Sequence, residues 1–352
     1  MVTAAVGVAL SGGVDSAMAA RILLEQGHPV LGFFMELAQP DLEKDRRQAQ
    51  VVAARLGIEL RFVNLRQAFR HLVLDYLRGQ YQRGLTPNPC LVCNREIKFG
   101  LLRRAMDEAG ITHMATGHYA IIRQDDGPRL YKGVDGNKDQ SYFLAGLSRG
   151  QLAGLLLPLG ARRKREVMLM AAAQGLTEFS GESQDICFLS GQSVGDFLTN
   201  EFSENSGPIV TVAGQEIGRH RGLFRYTIGQ RRGLNLPVSL PDAAPWYVVR
   251  LDARRNAVVV GKDEDLSSKS LTTAPVNWLR RPAGFSGLFT VRIRSNHVGG
   301  TARLFPERDG GLTINFIEAQ RAAAPGQFAV IYCDDEVLGS AVIIASETVS
   351  DD

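Results

Sequence analysis

Two short stretches of this 352-residue chain carry residue types that can do chemistry. The first is SGGVDS at 11–16. Gly12 and Gly13 let a backbone approach a ligand closely and take angles that other residues resist. A helix opening there offers unpaired N–H groups and a partial positive charge, the ingredients of a phosphate site. Ser11 and Ser16 add hydroxyl donors. Asp15 is out of place beside a polyanion unless it holds a Mg²⁺ that bridges to the phosphates. The same residue types also make a plain helix N-cap with glycine for the turn. The Walker lysine and the third glycine of a dinucleotide fingerprint are both missing. The second stretch is TPNPCLVCNREIKF at 86–99, where Cys90 and Cys93 have CxxC spacing and make up half of the four cysteines. Such a pair suits a redox couple, half of a metal site, or a nucleophile with a helper.

These residues need elements to hold them. AVGVAL at 5–10 is a short apolar run of the kind that forms a buried parallel strand. It leads into SGGVDS, after which AMAARILLEQG has helical spacing with Gly27 as its stop. HPVLGFFME, DLEKDRRQAQVVAARLG, IELRFVNL and QAFRHLVLDYLRGQYQRG continue the alternation. After the cysteines, EIKFGLLRRAMDEAG predicts a helix and ITHMATGHYA a strand. On this pattern Cys93 falls at the start of a helix that runs from Asn94 onward. Repeated strand–helix units predict an α/β fold, a doubly wound parallel sheet with ligands at the carboxyl ends of its strands. From about residue 205 short β-branched runs take over, among them PIVTV, WYVVRLD, NAVVVG, GLFTVRIR and QFAVIYCDDEVLGSAVIIA. They predict antiparallel β structure ending in a barrel. Turn-rich segments at 191–207 and 262–270 divide the chain into 1–200, 201–265 and 266–352.

The composition is that of a globular protein, 45% hydrophobic and 22% charged. The N-terminal residues lack the basic and long apolar regions of a signal peptide, and no stretch approaches a membrane span. Four scattered cysteines do not make a secreted disulfide framework, so a cytoplasmic protein with reduced thiols is expected. The net charge is only +3, but arginines cluster locally at 219–232 and at 162–165. Patches of this kind meet a polyanion or simply face solvent.

Further stretches narrow the chemistry: FFM at 33–35, ATGHYA at 115–120, NKDQSYFL at 137–144, DICF at 185–188, GQRRGL at 229–234 and PWYVV at 245–249. With SGGVDS and TPNPCLVCNREIKFG they resemble, in order and over nearly the whole chain, the tRNA-specific 2-thiouridylases of the PP-loop ATP pyrophosphatases. The resemblance implies a PP-loop domain like the adenine nucleotide alpha hydrolases, a small central domain and a C-terminal β-barrel. It implies ATP-dependent 2-thiolation of the wobble uridine of tRNA, with AMP and pyrophosphate released and sulfur taken from a donor protein. ATP and Mg²⁺ would lie on Ala9, Leu10, Ser11, Gly12, Gly13, Val14, Asp15 and Ser16, with the Met35 backbone at the adenine edge and Gly117 leaving room for ATP. Asn88, Pro89 and Cys90, the Lys138–Asp139–Gln140 turn, and Arg294 would contact tRNA, and Arg231 and Arg232 would grip its phosphates. Ser295 replaces an aromatic residue often found beside that arginine.

The resemblance also gives Cys93 the place of the catalytic cysteine and Cys187, 94 residues on, that of the persulfide carrier. Cys333, in VIYCDDEV, matches no motif and reads as a core residue of a strand. Cys90 departs from the common pattern, in which Asp follows the second proline. A thiolate there is softer than a carboxylate and suits iron or zinc. Cys90, Cys93 and Cys187 together would hold a 4Fe–4S cluster with an open position for an extra sulfide. A structural zinc would want a fourth ligand and would leave no thiol for chemistry. Two rivals remain at this level: a PP-loop enzyme acting on a small molecule, which needs no arginine-rich β region, and an RNA-binding protein with a structural metal, which needs no SGGVDS.

Overall fold

The structure, a computed structural model, describes residues 4–177, 188–189, 194–199, 205–236 and 244–348. Strands β1 (Val6–Ala9), β2 (Val30–Glu36), β3 (Leu60–Asn64), β4 (His113–Ala115) and β7 (Leu155–Leu156) form a parallel sheet in the order β3-β2-β1-β4-β7. Every residue of β1 is buried, because helices cover both faces of the sheet. Val6, Val8 and Leu10 share a core with α1 (Val14–Glu25), α2 (Leu42–Leu56) and the helix Lys164–Ala173. Ala9 and Met114 share another with Phe69, Leu77, Ile97 and Met106 of the helical runs 66–82 and 89–108. The chain winds from β1 to β2 and β3 on one side and reaches β4 on the other. The order therefore reverses between β1 and β4, and their carboxyl ends open the crevice where such sheets take ligands.

Three local expectations are corrected. The strand expected over ITHMATGHYA stops at Ala115. A new strand, β5 (Ala120–Asp125), then pairs antiparallel with β6 (Gly127–Lys132) through a turn in which Gly127 has φ +87. Secondly, the cysteine helix begins at Pro89, not Asn94. Asn88 caps it by accepting a 3.2 Å bond from the Cys90 N–H, and proline is favoured at the first helical position. From Cys93 to Leu102 the run is wound with wider π turns before Arg103–Glu108 resumes the α-helix.

The central region is a four-stranded sheet, β10 (Tyr247–Asp252), β11 (Ala257–Gly261), β8 (Gly207–Thr211) and β9 (Glu216–His220) in that spatial order, packed around Ile209, Val248, Val258 and Val260. The C-terminal region is a closed antiparallel barrel. Its six strands are β12 (Ser267–Thr273), β14 (Phe289–Arg292), β15 (Gly300–Pro306), β16 (Leu312–Arg321), β17 (Phe328–Cys333) and β18 (Glu336–Thr348), with β12 pairing both β16 and β18 to shut it and the two-residue β13 (Asn277–Trp278) pairing β18 beside it.

The barrel is fused to the α/β region by shared core. Along β17, Ala329 and Ile331 point into the barrel while Phe328, Val330 and Tyr332 enter the core of the α/β region. Each such fully buried side chain contributes about 1.5–3 kcal/mol. β6 also pairs with β18, so the β5–β6 hairpin extends the barrel's sheet. The third correction is Cys333: it is exposed rather than core, because β17 ends there and the chain turns through Asp334 at φ +52. Among the described residues, no helix is long and apolar enough to cross a membrane.

Candidate nucleotide and thiol site

Residues 11–16 leave β1 and wind into α1 at the crevice. Gly12 has φ +86, and a Cβ there would lie 3.0 Å from the Ala49 nitrogen. The Gly12 carbonyl accepts from Gln48 of α2 at 3.1 Å, which fixes the loop. The Ser16 hydroxyl folds back on the loop, donating to the Gly13 carbonyl at 2.9 Å and lying 3.1 Å from Ser11 Oγ. Among the described residues no side chain caps the start of α1, and its first amides suit an outside acceptor. Ala9, Leu10 and Val14 are buried beneath the loop.

Asp15, in the first turn of α1, has two partners. Lys164 Nζ lies 2.7 and 2.8 Å from its two carboxylate oxygens, and the Tyr119 hydroxyl donates to Oδ1 at 2.7 Å. Burial, helped by the Asp15 carboxylate, holds the Tyr119 phenol far above its ordinary range, so it stays a donor. Lys164 opens its own helix, and its backbone N–H is held by Asp135 at 2.9 Å. Sequence reasoning placed this lysine in a surface arginine cluster. Its signal was position, at the N-terminus of a helix that packs on α1. At Gly117 a Cβ would come within 2.7 Å of the Asp15 carbonyl carbon, so glycine lets the loop after β4 pack on α1. The Met35 carbonyl accepts from Gln39 at 3.0 Å.

The turn 138–140 reaches the same place. Gln140 brackets the Tyr119 backbone, accepting from its N–H at 2.9 Å and donating to its carbonyl at 2.8 Å. Lys138 is exposed, whereas the Asp139 side chain is buried and bonded to Arg292 of β14 at 2.8 Å. The one-turn helix Ser141–Leu144 follows, and the Phe143 carbonyl accepts from Asn94 at 3.0 Å. Asn94 is the neighbour of Cys93, and the His118 and Phe99 rings lie 5.7 Å apart. The phosphate loop, the 138–143 segment and the cysteine helix therefore adjoin. Cys90 and Cys93 are both half-buried, and it is Cys90 that lies in the first turn. The barrel supports this helix too. Thr86 donates its N–H to Pro325 at 2.9 Å, and Gln327 donates to the Thr86 and Pro87 carbonyls at 3.1 and 3.3 Å. Cys187 lies outside the described residues. Among the described residues, no three His, Cys, Asp or Glu side chains gather as metal ligands.

The arginines differ among themselves. Arg231 and Arg232 are exposed on a turn of the central region. Arg219 pairs with Glu216 and Arg225 with Asp196. Arg294 is half-buried and donates to the carbonyls of Ile228 and Ala322, bracing that turn against the barrel. Arg280 is spent on Glu336, at 2.6 and 2.5 Å.

His118 lies against Thr116, 2.7 Å from its hydroxyl, and burial first, then the Lys98 charge, hold its pKa well below the ordinary value. Below pH of about 6.5 the unfolded chain takes up a proton that the folded chain refuses, so stability is present above that pH and lost beneath it. A thermal scan between pH 7.5 and 5 is expected to show a falling Tm, and His118→Gln to flatten the fall. An unchanged pH slope in the variant contradicts this.

Three family models match in succession: a "tRNA methyl transferase HUP domain" over 4–191, a "tRNA methyl transferase PRC-barrel domain" over 195–262, and an "aminomethyltransferase beta-barrel domain" over 268–343. The tRNA-specific 2-thiouridylase MnmA of Desulfotalea psychrophila is 47% identical over 96% of this chain and 98% of its own length. Those of Trichlorobacter lovleyi and Chloroflexus aurantiacus are 41% and 42% identical, each over 97% of this chain and 98% of their own. Identity of 41–47% over 96–97% of the chain shows the family: the chain belongs to the tRNA-specific 2-thiouridylase (MnmA) family.

Proposed function

We infer that the chain is a tRNA-uridine 2-sulfurtransferase acting on the wobble uridine. Uridine O2 attacks the α-phosphorus of ATP, pyrophosphate leaves, and C2 then carries AMP as a leaving group. A sulfur nucleophile adds at C2 and AMP departs. The observation that carries the reading is the junction of an uncapped phosphate loop with a cysteine-bearing helix, through 116–119 and 138–143.

The residues present fit the nucleotide: the open amides of α1 suit phosphate, and among the described residues Gly13 has only Ser11 Oγ, at 3.6 Å, near where a Cβ would stand. Mg²⁺, when bound with ATP, would be held by Asp15 and would offset phosphate charge. Lys164 supplies a second cation at the same carboxylate. Cys187 is the proposed persulfide carrier. Its outer sulfur attacks C2, and Cys93 thiolate then attacks the inner sulfur, leaving a Cys93–Cys187 disulfide and the thiocarbonyl. In the alternative route Cys90, Cys93 and Cys187 would hold a 4Fe–4S cluster whose chemistry is to present sulfide. A donor protein supplies the sulfur, and tRNA as substrate places the protein in the cytoplasm. The proposed division is 1–200, 201–265 and 266–352, and the β5–β6 hairpin crosses it to join the barrel's sheet. Methyl transfer, named by the family models, has no use for adenylylation of the base.

The test is reaction of the purified protein with ATP, Mg²⁺, a persulfide donor and an unmodified tRNA transcript. Expected are 2-thiouridine by mass spectrometry and one pyrophosphate per thiolated base. Thiolation without ATP, or a methylated base instead, sinks the reading.

Arg231 and Arg232 offer their charges to backbone phosphates. Replacing both with Ala is expected to lower the log–log salt slope of tRNA binding by up to about one unit per lost contact, with ATP binding unchanged. A parental slope in filter binding makes them ordinary surface.

A further inference from the structure

We propose that Arg292, on the barrel, is a positioning residue for the thiolation reaction: it fixes the 138–140 turn through Asp139. The proposal rests on the reading that this turn meets the target uridine. The two side chains lie 153 positions apart in sequence and are 12% and 4% exposed. Asp139 has no capacity left for RNA. Its Oδ1 accepts from the Gly133 and Ser141 amides at 3.1 and 3.0 Å, and its Oδ2 from the Ser141 hydroxyl at 3.0 Å and Arg292 Nη1 at 2.8 Å. Arg292 in turn donates Nη2 to the Ser295 carbonyl, and its guanidinium lies 5.7 and 6.0 Å from the rings of Tyr142 and Tyr332. The Tyr332 hydroxyl is 3.2 Å from that of Ser141 and completes the ring of contacts.

Adhesion does not require this ion pair. The barrel is already docked by Phe328, Val330 and Tyr332, and a buried charge pair rarely outperforms apolar residues of the same volume. What the pair adds is direction. A carboxylate held on both oxygens sets the backbone of the turn, and with it the placement of Lys138 and Gln140 on either side. Gln140 passes that placement on to Tyr119, whose hydroxyl holds Asp15 in the phosphate loop. The barrel strand β14 thereby reaches both the base-facing turn and the nucleotide loop.

The test is single-turnover thiolation by the full chain, with tRNA and ATP affinities measured alongside. The amplitude reports the folded fraction and the rate reports positioning. Arg292→Met is expected to slow the rate about tenfold or more, a loss of about 1.4 kcal/mol in transition-state stabilisation, with both dissociation constants within about twofold. Arg292→Lys, which keeps a cation for Asp139, is expected to recover most of the rate. Asp139→Asn is expected to match Arg292→Met, and the double variant to be no slower than either. A parental rate for Arg292→Met, a loss confined to tRNA affinity, or additive effects would overturn the proposal. Lys138→Ala separates the two layers. If it reacts at the parental rate, the reading of the turn fails. If it is slow while Arg292→Met is not, only the role of Arg292 fails.

Discussion

Asp15→Asn and Lys164→Met are each expected to lower ATP-dependent thiolation by at least about a hundredfold, the scale of losing one fixed group that stabilises developing charge. They should do so with opposite effects on ATP. Lys164 and Asp15 neutralise each other at 2.7 Å beside the start of α1. With Mg²⁺ withheld from the binding assay, because Asp15 would also hold that ion, loss of the carboxylate leaves the ammonium facing the triphosphate unopposed, and ATP binds several-fold tighter although the reaction is lost. Without the ammonium, the carboxylate repels the triphosphate and ATP binds several-fold weaker. A unit charge about 5 Å away in a partly screened site accounts for effects of this size. Tyr119→Phe removes a donor to Asp15 but no charge, so it should be the mildest of the three. tRNA affinity should stay within about twofold throughout, because the residues proposed to meet its phosphates, Arg231 and Arg232, lie elsewhere. Equal ATP affinities for Asp15→Asn and Lys164→Met, measured by equilibrium dialysis, would refute the pairing as a feature of the nucleotide site.

Lys164 shows where sequence reasoning ran out. Its meaning depends on Asp15, 149 positions away, and the run ARRKRE reads equally well as solvated surface. The central parallel strands were legible because β1 is apolar throughout, as burial on two faces demands. β17 is also buried on both faces, but its unbroken apolar run does not say that one face belongs to another region of the chain. The β5–β6 hairpin was hidden because its partner, β18, lies some 200 residues on. The helix start at Pro89 was missed although its signals, Asn88 as cap and proline at the first position, were in view. The cysteines drew attention to Asn94 instead. Asp139 was given to tRNA from its motif, and only the fold revealed Arg292 already beside it.

Cys93→Ala is expected to lower thiolation by more than about a thousandfold, the scale of removing a nucleophile, and Cys187→Ala to do the same. Both routes for sulfur use both residues, so neither variant separates them. Cys90 does. With the helix beginning at Pro89, Cys90 stands in the first turn, where the partial positive charge of a helix start is greatest. Cys93 is a turn further in, where that charge has faded. If the persulfide route operates, Cys90 is a spectator in a place where Asp is common, and Cys90→Asp should keep appreciable activity in air. If the cluster route operates, Cys90 is a soft ligand at an anion-favouring position, and a carboxylate holds iron less firmly. Cys90→Asp should then lose iron and gain oxygen sensitivity, and Cys90→Ala should lose iron, acid-labile sulfide and activity together. We propose the second outcome, because Cys90 stands at an anion-favouring helix start and the family resemblance groups three of the four cysteines. An anaerobically reconstituted Cys90→Ala protein with full activity and no visible charge-transfer absorption would return Cys90 to the role of bystander and leave the persulfide route standing.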